Sequence, residues 1–412
     1  MAFRGGAFGR AYRGRPMTTA DDLRSLLRHC DTAVPERGLE EKLELGRPLR
    51  VKLGLDPTAP AVTLGWSVVL RKLRRFQDLG HTAVLIVGDF TAQVGDPSAR
   101  GAQRARLTAE EVSAHAESVL GQFGKVLSRD NLEIRRNSEW LAALDMAAIA
   151  ELASSATVAQ MLERSDFAKR HESGAPISVL EFLYPLLQGY DSVAVEADVE
   201  LGGSDQLWNL MMGRVVQERY GQEAQVALTM PLLVGTDGTR KMSQSVGNYI
   251  GVDDEPAEMF GKTMSIPDDA MAQWFRLAAD LDEDEAASID ADLASGALHP
   301  NAAKRRLARR VVALYWGDEA AARAEAGFDR VFRRGGAPEE IDEVVVPPGE
   351  TVNVPALIRD AFAMSGADAR RMLAQGAVKI DGEALSDQEA PRASLVGAVL
   401  KVGKRRFARL VD

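Results

Sequence analysis

Tyr184, Gln188 and Asp191 stand at i, i+4 and i+7 of the run Leu183-Tyr-Pro-Leu-Leu-Gln-Gly-Tyr-Asp191, so on a helix they share one face. A phenol, an amide and a carboxylate beside Leu186 and Leu187 describe a polar pocket with apolar walls, where the acid accepts a hydrogen bond from a ligand hydroxyl. The same pattern also fits an exposed helix face. Four further segments carry comparable chemistry. Gly54-Leu-Asp-Pro-Thr58 leads through Thr63-Leu-Gly-Trp66 and offers Asp56 and Thr58 between two glycines, Gly54 and Gly65, where backbone can approach a ligand. Gly88-Asp-Phe-Thr-Ala-Gln-Val-Gly-Asp-Pro-Ser98 presents Thr91 and Asp96 to an ammonium, and Arg100 and Arg104 behind it suit an oligophosphate. Glu200-Leu-Gly-Gly-Ser-Asp-Gln206 places paired glycines before polar groups fit for a ribose or a carboxylate. Thr236 to Asn248 is a polar loop with Arg240 and Lys241 that can close over phosphates. Each of these alone reads as well as a turn or a surface loop.

The elements that must position them are legible around them. Val51 to Leu55 is β-prone and ends at Asp56-Pro57. From Gly65 to Leu79 the apolar residues Val68, Val69, Leu73, Phe76 and Leu79 recur at helical spacing. Thr82 to Gly88 is a nearly continuous apolar run, as in a strand covered on both faces. Strand, helix, strand within about 40 residues makes a βαβ unit and a parallel sheet. In such sheets ligands bind beyond the carboxyl ends of the strands, where a helix N-terminus turns N–H groups toward phosphate. Further strands are expected at Val195 to Leu201 and Val226 to Val234, and helical text runs from Pro256 to about Gly335. Val344 to Glu350, with its paired prolines, reads as a linker. In the last stretch Asp381-Gly382 signals a hairpin.

The chain has 412 residues, 46% of them hydrophobic and 27% charged, which suits a folded protein of two or three domains. A net charge of −10 does not fit a protein that merely coats nucleic acid, so any RNA partner must meet a local basic patch. One cysteine, Cys30, excludes an internal disulfide and a multi-cysteine zinc site, and the five histidines lack ligand spacing, so no structural metal is expected. No apolar run suits a bilayer span, and a cytoplasmic location is expected. Residues 1–17, with Arg4, Arg10, Arg13 and Arg15, read as a disordered tail, and Met17 is a plausible alternative start.

Taken together the five segments resemble the class I aminoacyl-tRNA synthetases, and more narrowly the bacterial tyrosyl enzymes, over roughly residues 20 to 412. The first segment stands at the family's HIGH position and the fifth at its KMSKS position. The resemblance implies an α/β protein with a Rossmann-like parallel-sheet catalytic domain, a helical anticodon-binding domain and a small α+β RNA-binding domain. It places these at residues 18–245, with a dimerisation insertion near 130–180, at 246–343, and at 352–412 beyond a linker at 344–351. It implies tyrosine and ATP with Mg²⁺ as substrates, tRNA(Tyr) as partner and a homodimer. Tyr184, Gln188 and Asp96 would hold the amino-acid ammonium, Asp191 the phenol hydroxyl, and Gln206 the carboxylate end. Thr91 lines the same pocket, and Lys52 occupies a position from which many tyrosyl enzymes reach the phenol. Gly54, Asp56, Gly65, Gly203, Asp205 and Ser243 would meet the adenylate. Thr58, Thr63, Trp66, Arg100, Arg104 and Lys241 would meet the reacting phosphates. The final unit resembles a small RNA-binding domain found in ribosomal and pseudouridine-synthase proteins. There Arg370, Arg371, Lys401, Lys404, Arg405, Arg406 and Arg409 would contact phosphates.

Two signatures depart from the family pattern. Thr63-Leu-Gly-Trp66 lacks both family histidines, and Lys241-Met-Ser-Gln-Ser245 has Gln244 for the second lysine. Ala99 also replaces a glycine after Pro97-Ser98. These changes open an alternative, a synthetase-like paralogue that activates tyrosine or an analogue for another acceptor. A third reading is a non-catalytic RNA-binding or tyrosine-sensing protein.

Overall fold

The computed structural model describes residues 20–96, 108–333, 342–403 and 406–412. By compactness the chain divides once, between Asp318 and Glu319. The stretch expected as a separate helical domain therefore divides differently. Its helices Pro256–Met264, Met271–Leu277, Glu283–Ser295 and Pro300–Trp316 all lie in the first unit. The backbone ties this stretch in early, through Leu64 N–H to the Ile250 carbonyl and Val252 N–H to the Val62 carbonyl.

Six strands build the sheet of the first unit: β1 (Thr32–Val34), β2 (Arg50–Leu55), β3 (Thr82–Val87), β4 (Leu132–Arg136), β5 (Val199–Gly203) and β6 (Val226–Met230). Their order is β1-β6-β5-β2-β3-β4, parallel throughout except at the edge, where β1 runs antiparallel to β6. Both faces are covered, so β3 and β6 are apolar almost from end to end. The winding reverses between β2 and β5. From β2 the chain builds outward to β3 and β4, and from β5 it builds the other way to β6, so a crevice opens beyond the carboxyl ends of β2 and β5.

The helix Leu64–Asp78 follows β2 and starts at the N-cap Thr63, whose hydroxyl oxygen accepts from the Trp66 N–H. The helix Val179–Ala194 opens with a capping box between Ser178 and Glu181. It packs closely on the helix Leu207–Arg219. A Cβ at Gly189 would stand 2.8 Å from Val216 Cγ2, so only glycine lets the two helices approach this far. Two expected strands are shorter than read. The chain leaves the Val179–Ala194 helix through Val195 and the left-handed Glu196 (φ 50°) before β5 starts at Val199. After Met230, Pro231 has no N–H for the ladder, and β6 stops.

The second unit contains β7 (Glu343–Val345), β8 (Thr351–Asn353), β9 (Val378–Ile380), β10 (Glu383–Ala384), β11 (Glu389–Pro391), β12 (Val399–Val402) and β13 (Arg406–Val411). One sheet has the order β10-β9-β12-β13-β7, and β8 pairs separately with β11. Asp381 and Gly382, at φ 45° and 91°, make the expected tight turn between β9 and β10. Two helices, Val354–Phe362 and Gly366–Ala374, cover a core of its own around Leu357, Ile358, Leu373, Leu400 and Leu410. The expected linker at 344–351 is partly sheet. β7 pairs in parallel with β13, and Val346 is 1% exposed in the core. The run Val344-Val345-Val346 favours a strand, and Pro347-Pro348 end it without freeing it.

Replacing Val346 by alanine deletes two buried carbons and is expected to destabilise this unit by about 2 kcal/mol in urea unfolding. A change of only a few tenths would mark the segment as a tether.

Candidate active site at the reversal of the sheet

Asp56 leaves the end of β2 into the crevice and is the junction of the polar groups there. Thr91 Oγ1 donates to Asp56 Oδ1 at 2.7 Å, and the Tyr184 hydroxyl donates to Asp56 Oδ2 at 2.9 Å. Thr91 comes from the turn after β3, and Tyr184 comes from the Val179–Ala194 helix. Gly88 makes this approach possible, since an ideal Cβ there would lie 2.0 Å from Asp56 Oδ1 and 2.4 Å from Thr91 Oγ1.

Deeper in the pocket Asp191 is 3% exposed. Trp140 Nε1 donates to its Oδ1 at 2.8 Å, and Asn137 Nδ2 approaches its Oδ2 at 3.3 Å while also donating to Thr91 Oγ1 at 2.9 Å. The Phe90 N–H, donating to Asn137 Oδ1 at 3.0 Å, fixes which way that amide points. Burial is the main cause that pushes Asp56 up to about 7, with the repulsion of Asp96 and Asp191 added and the Thr91 and Tyr184 hydroxyls opposing. Burial likewise raises Asp191 to about 6, against the pull of Lys52 and the two donors. The Tyr184 phenol, buried and facing Asp56, Asp96 and Asp191, stays protonated. Three carboxylates thus crowd one pocket and favour a cationic ligand group among them. Asp96 is tethered at its rim. Gln206 Nε2 donates to it at 3.0 Å, Asn209 Nδ2 donates to Gln206 Oε1 at 2.8 Å, and the buried Arg164 stands 3.8 Å from the carboxylate.

The structure corrects the place of Lys52. It is fully buried, and its ammonium meets the Gln188 backbone carbonyl at 2.8 Å, Ser192 Oγ at 2.7 Å and Glu200 Oε1 at 2.9 Å. These acceptors take its three N–H groups, so it lies behind the pocket wall and has none left for a ligand.

On the other side of the crevice, the loop before the Leu64–Asp78 helix meets the loop carrying Lys241. Gln244 clasps one residue of the opposite loop. The Ala61 N–H donates to its Oε1 at 3.2 Å, and its Nε2 donates to the Ala61 carbonyl at 2.6 Å. Met242 packs over Gly65. Lys241 Nζ rests on Asp205 Oδ2 at 2.7 Å, just beyond Gly203 at the end of β5. Gly54 and Thr58 are exposed, and Trp66 is half-buried at the first turn of its helix. Ser243 Oγ bonds Ser245 Oγ at 2.9 Å. Thr63 is 2% exposed, and its hydroxyl oxygen accepts the helix-cap bond from the Trp66 N–H. Arg100 and Arg104 lie outside the described residues.

In the second unit Arg370, Arg371, Arg406 and Arg409 are exposed. Arg371 pairs with Asp368 at 2.5 Å, and Arg406 also acts on that carboxylate. Lys379, Lys401 and Phe407 form a cross-strand row, with the Lys401 ammonium 5.0 Å from the Phe407 ring centre. Lys404 and Arg405 lie outside the described residues.

Asn137, Trp140, Ser192 and Glu200 complete the site and were not foreseen from sequence. Asn137 and Trp140 follow β4, far along the chain from Asp191, with no spacing to link them. The strand register, which sets Lys52 opposite Glu200, is the signal that would have found the second pair. Gly88→Ala is expected to force Asp56 and Thr91 apart and to cost about 1–3 kcal/mol in thermal or urea unfolding. A variant of unchanged stability would show that the turn after β3 yields freely.

The residues 44–333 match the family model described as tRNA synthetases class I (W and Y). The chain is 49% identical over 395 residues to the tyrosine--tRNA ligase of Moorella thermoacetica, covering 95% of this chain and 96% of that one. It is 47% identical over 396 residues to the tyrosine--tRNA ligase of Oleidesulfovibrio alaskensis, covering 96% of this chain and 100% of that one. Among solved structures it shares the fold of the tyrosyl-tRNA synthetase of Archaeoglobus fulgidus complexed with L-tyrosine, at TM-score 0.61 and 24% identity, over 74% of this chain and 98% of that one. It shares it also with the C-terminally truncated mitochondrial tyrosyl-tRNA synthetase of Aspergillus nidulans, at TM-score 0.62 and 21% identity, over 76% and 93%. With a family model matched from β2 through β6 and the crevice, and relatives of nearly half identity along nearly the whole length, this chain belongs to the class I tRNA synthetases of the tryptophanyl and tyrosyl group.

Proposed function

We propose that the chain is a tyrosine--tRNA ligase, which joins L-tyrosine to ATP as tyrosyl-adenylate and passes the tyrosyl group to tRNA(Tyr) in the cytoplasm. The observation that carries the reading is the Asp191 carboxylate, buried at the floor of the pocket with two donors on it among the described residues. A phenol O–H supplies the next. Phenylalanine leaves that position empty and the carboxylate under-bonded, at a cost of about 3 kcal/mol or roughly a hundredfold.

The ammonium of tyrosine sits among Asp96, Tyr184 and Gln188 and also meets Asp56, which the resemblance had set at the adenylate, and Thr91 and Asn137 hold that wall in place. Gln206 faces the carboxylate end. ATP enters as its Mg²⁺ complex, with its adenosine side along Gly54, Gly65, Gly203 and Asp205 and its phosphates toward Thr58, Trp66, Lys241 and Ser243, and toward Arg100 and Arg104. The tyrosine carboxylate attacks the α-phosphorus in line, and pyrophosphate leaves. A ribose hydroxyl at the tRNA end then attacks the mixed anhydride and releases AMP. No side chain acts as nucleophile. The protein aligns the reactants and stabilises charge on the phosphoryl oxygens. The exposed Arg370, Arg371, Arg406 and Arg409 and the half-buried Lys401 support tRNA backbone contact, and the stretch 246–343 is read as the anticodon side. Ile134, Met146, Val158 and Val179, at 45%, 82%, 63% and 76% exposure, leave apolar surface on and around the insertion, which supports a homodimer there.

Three outcomes test this reading. Tyrosine-dependent ATP–pyrophosphate exchange should proceed, phenylalanine should support it at least about a hundredfold less well, and tRNA(Tyr) should be charged. Exchange without charging would favour a paralogue serving another acceptor. The apparent affinity for tyrosine should fall about tenfold from pH 7.5 to 6. Asp56, near 7 in the free protein, must lose its proton to meet the ammonium, and Asp191, near 6, adds in the same direction. A flat profile would contradict the carboxylate pocket. Met146→Asp should convert a dimer to monomer in light scattering, and a wild-type monomer would remove the dimer from the reading.

A further inference from the structure

Behind the pocket lies an ion pair that the reaction above does not use. Lys52 and Glu200 face each other across the β2–β5 register, with side chains 0% and 1% exposed and Nζ to Oε1 at 2.9 Å. Ser192 Oγ donates to Glu200 Oε2 at 3.2 Å, and Gln225 Nε2 donates to the same oxygen. Gly213, on the Leu207–Arg219 helix, leaves room for the cluster, since a Cβ there would meet Gln225 Nε2 at 2.5 Å and Glu200 Oε2 at 3.0 Å. Two charges withdrawn from water cost several kcal/mol each before they attract one another, and an apolar pair of the same volume would serve stability as well. The pair therefore calls for another role, and Gln188 supplies it.

An ionised carboxylate can only accept hydrogen bonds. Glu200 Oε1 accepts Gln188 Nε2 at 3.1 Å, which turns the amide nitrogen of Gln188 to the wall and its carbonyl oxygen away from it. Lys52 holds the same residue by its backbone carbonyl, so it is gripped at both ends. Without Glu200 the amide could rotate and present N–H groups to the pocket, which would repel a cation.

Resting on the reading of this crevice as a tyrosine site, we propose that Lys52 and Glu200 are positioning residues for the amino-acid ammonium. The pair locks the Gln188 amide so that its carbonyl oxygen faces the ligand. Neither residue touches the substrate, and both act through Gln188.

The test compares three ligands by calorimetry on the full chain: tyrosine, tyramine, which keeps the ammonium and lacks the carboxylate, and 3-(4-hydroxyphenyl)propionate, which lacks the ammonium. Glu200→Gln can donate as well as accept and frees the Gln188 amide. It should weaken tyrosine and tyramine about tenfold and leave the propionate unchanged. The double variant K52M/E200Q removes both charges together, so no buried ion is left unpaired, and it should show the same selective loss if the single variant does not fold. Equal weakening of all three ligands would mean the pair merely supports the scaffold, and no weakening of any would mean Gln188 is held without it. Either result overturns the proposal. Wild-type protein that binds none of the three would instead overturn the tyrosine-site reading, and this inference with it.

Discussion

The crevice exists because β2 and β5 lie side by side at a fixed register, and a charge pair closed off from water sits across that register. A slip of one residue would turn Lys52 and Glu200 to opposite faces and strand both charges in the interior. The penalty for any other alignment is therefore large, whatever the pair adds to net stability. With the register set, Asp56 emerges from one strand and Gly203-Ser204-Asp205-Gln206 from its neighbour, at the same end of the sheet. Everything on the floor of the crevice takes its place from this alignment.

Above that floor the protein works against itself. Asp56 and Asp191 are held in surroundings that raise both toward neutrality, and Asp96 adds to the field. The neutral hydroxyls of Thr91 and Tyr184, the Asn137 amide and the Trp140 indole keep them in place without supplying positive charge. A cationic ligand group would relieve this repulsion, so a feature unfavourable in itself would become selective attraction. On the proposed reading the separation of labour follows from chemistry: the carboxylates serve the cation and the hydroxyl of the amino acid, while helix start, glycines and Lys241 serve the anion.

Much of this was legible in the sequence. The alternation of apolar runs and helical spacing located β2, the Leu64–Asp78 helix and β3. Tyr184, Gln188 and Asp191 do share one helical face. What could not be read were relations set by pairing between distant segments. Lys52 looked like a ligand residue because its neighbour across the sheet was unknown, and Glu200 looked like the lead-in to a glycine motif. Asn137 and Trp140 had no spacing to tie them to Asp191. The valines before Pro347-Pro348 were outweighed by the prolines in the reading, while in the fold the β-branched run pairs first and the prolines only end it.

The contact between Lys241 and Asp205 has a consequence for the order of events. Lys241, proposed for phosphate, and Asp205, proposed for ribose, neutralise each other. On that proposal a nucleotide that engages only one of them would leave the other as a bare charge, whereas intact ATP would replace both halves of the pair at once. Recognition of the two ends of the nucleotide would then be cooperative within a single molecule. Adenosine and tripolyphosphate, offered separately, would each open a bond that only their covalent union can close.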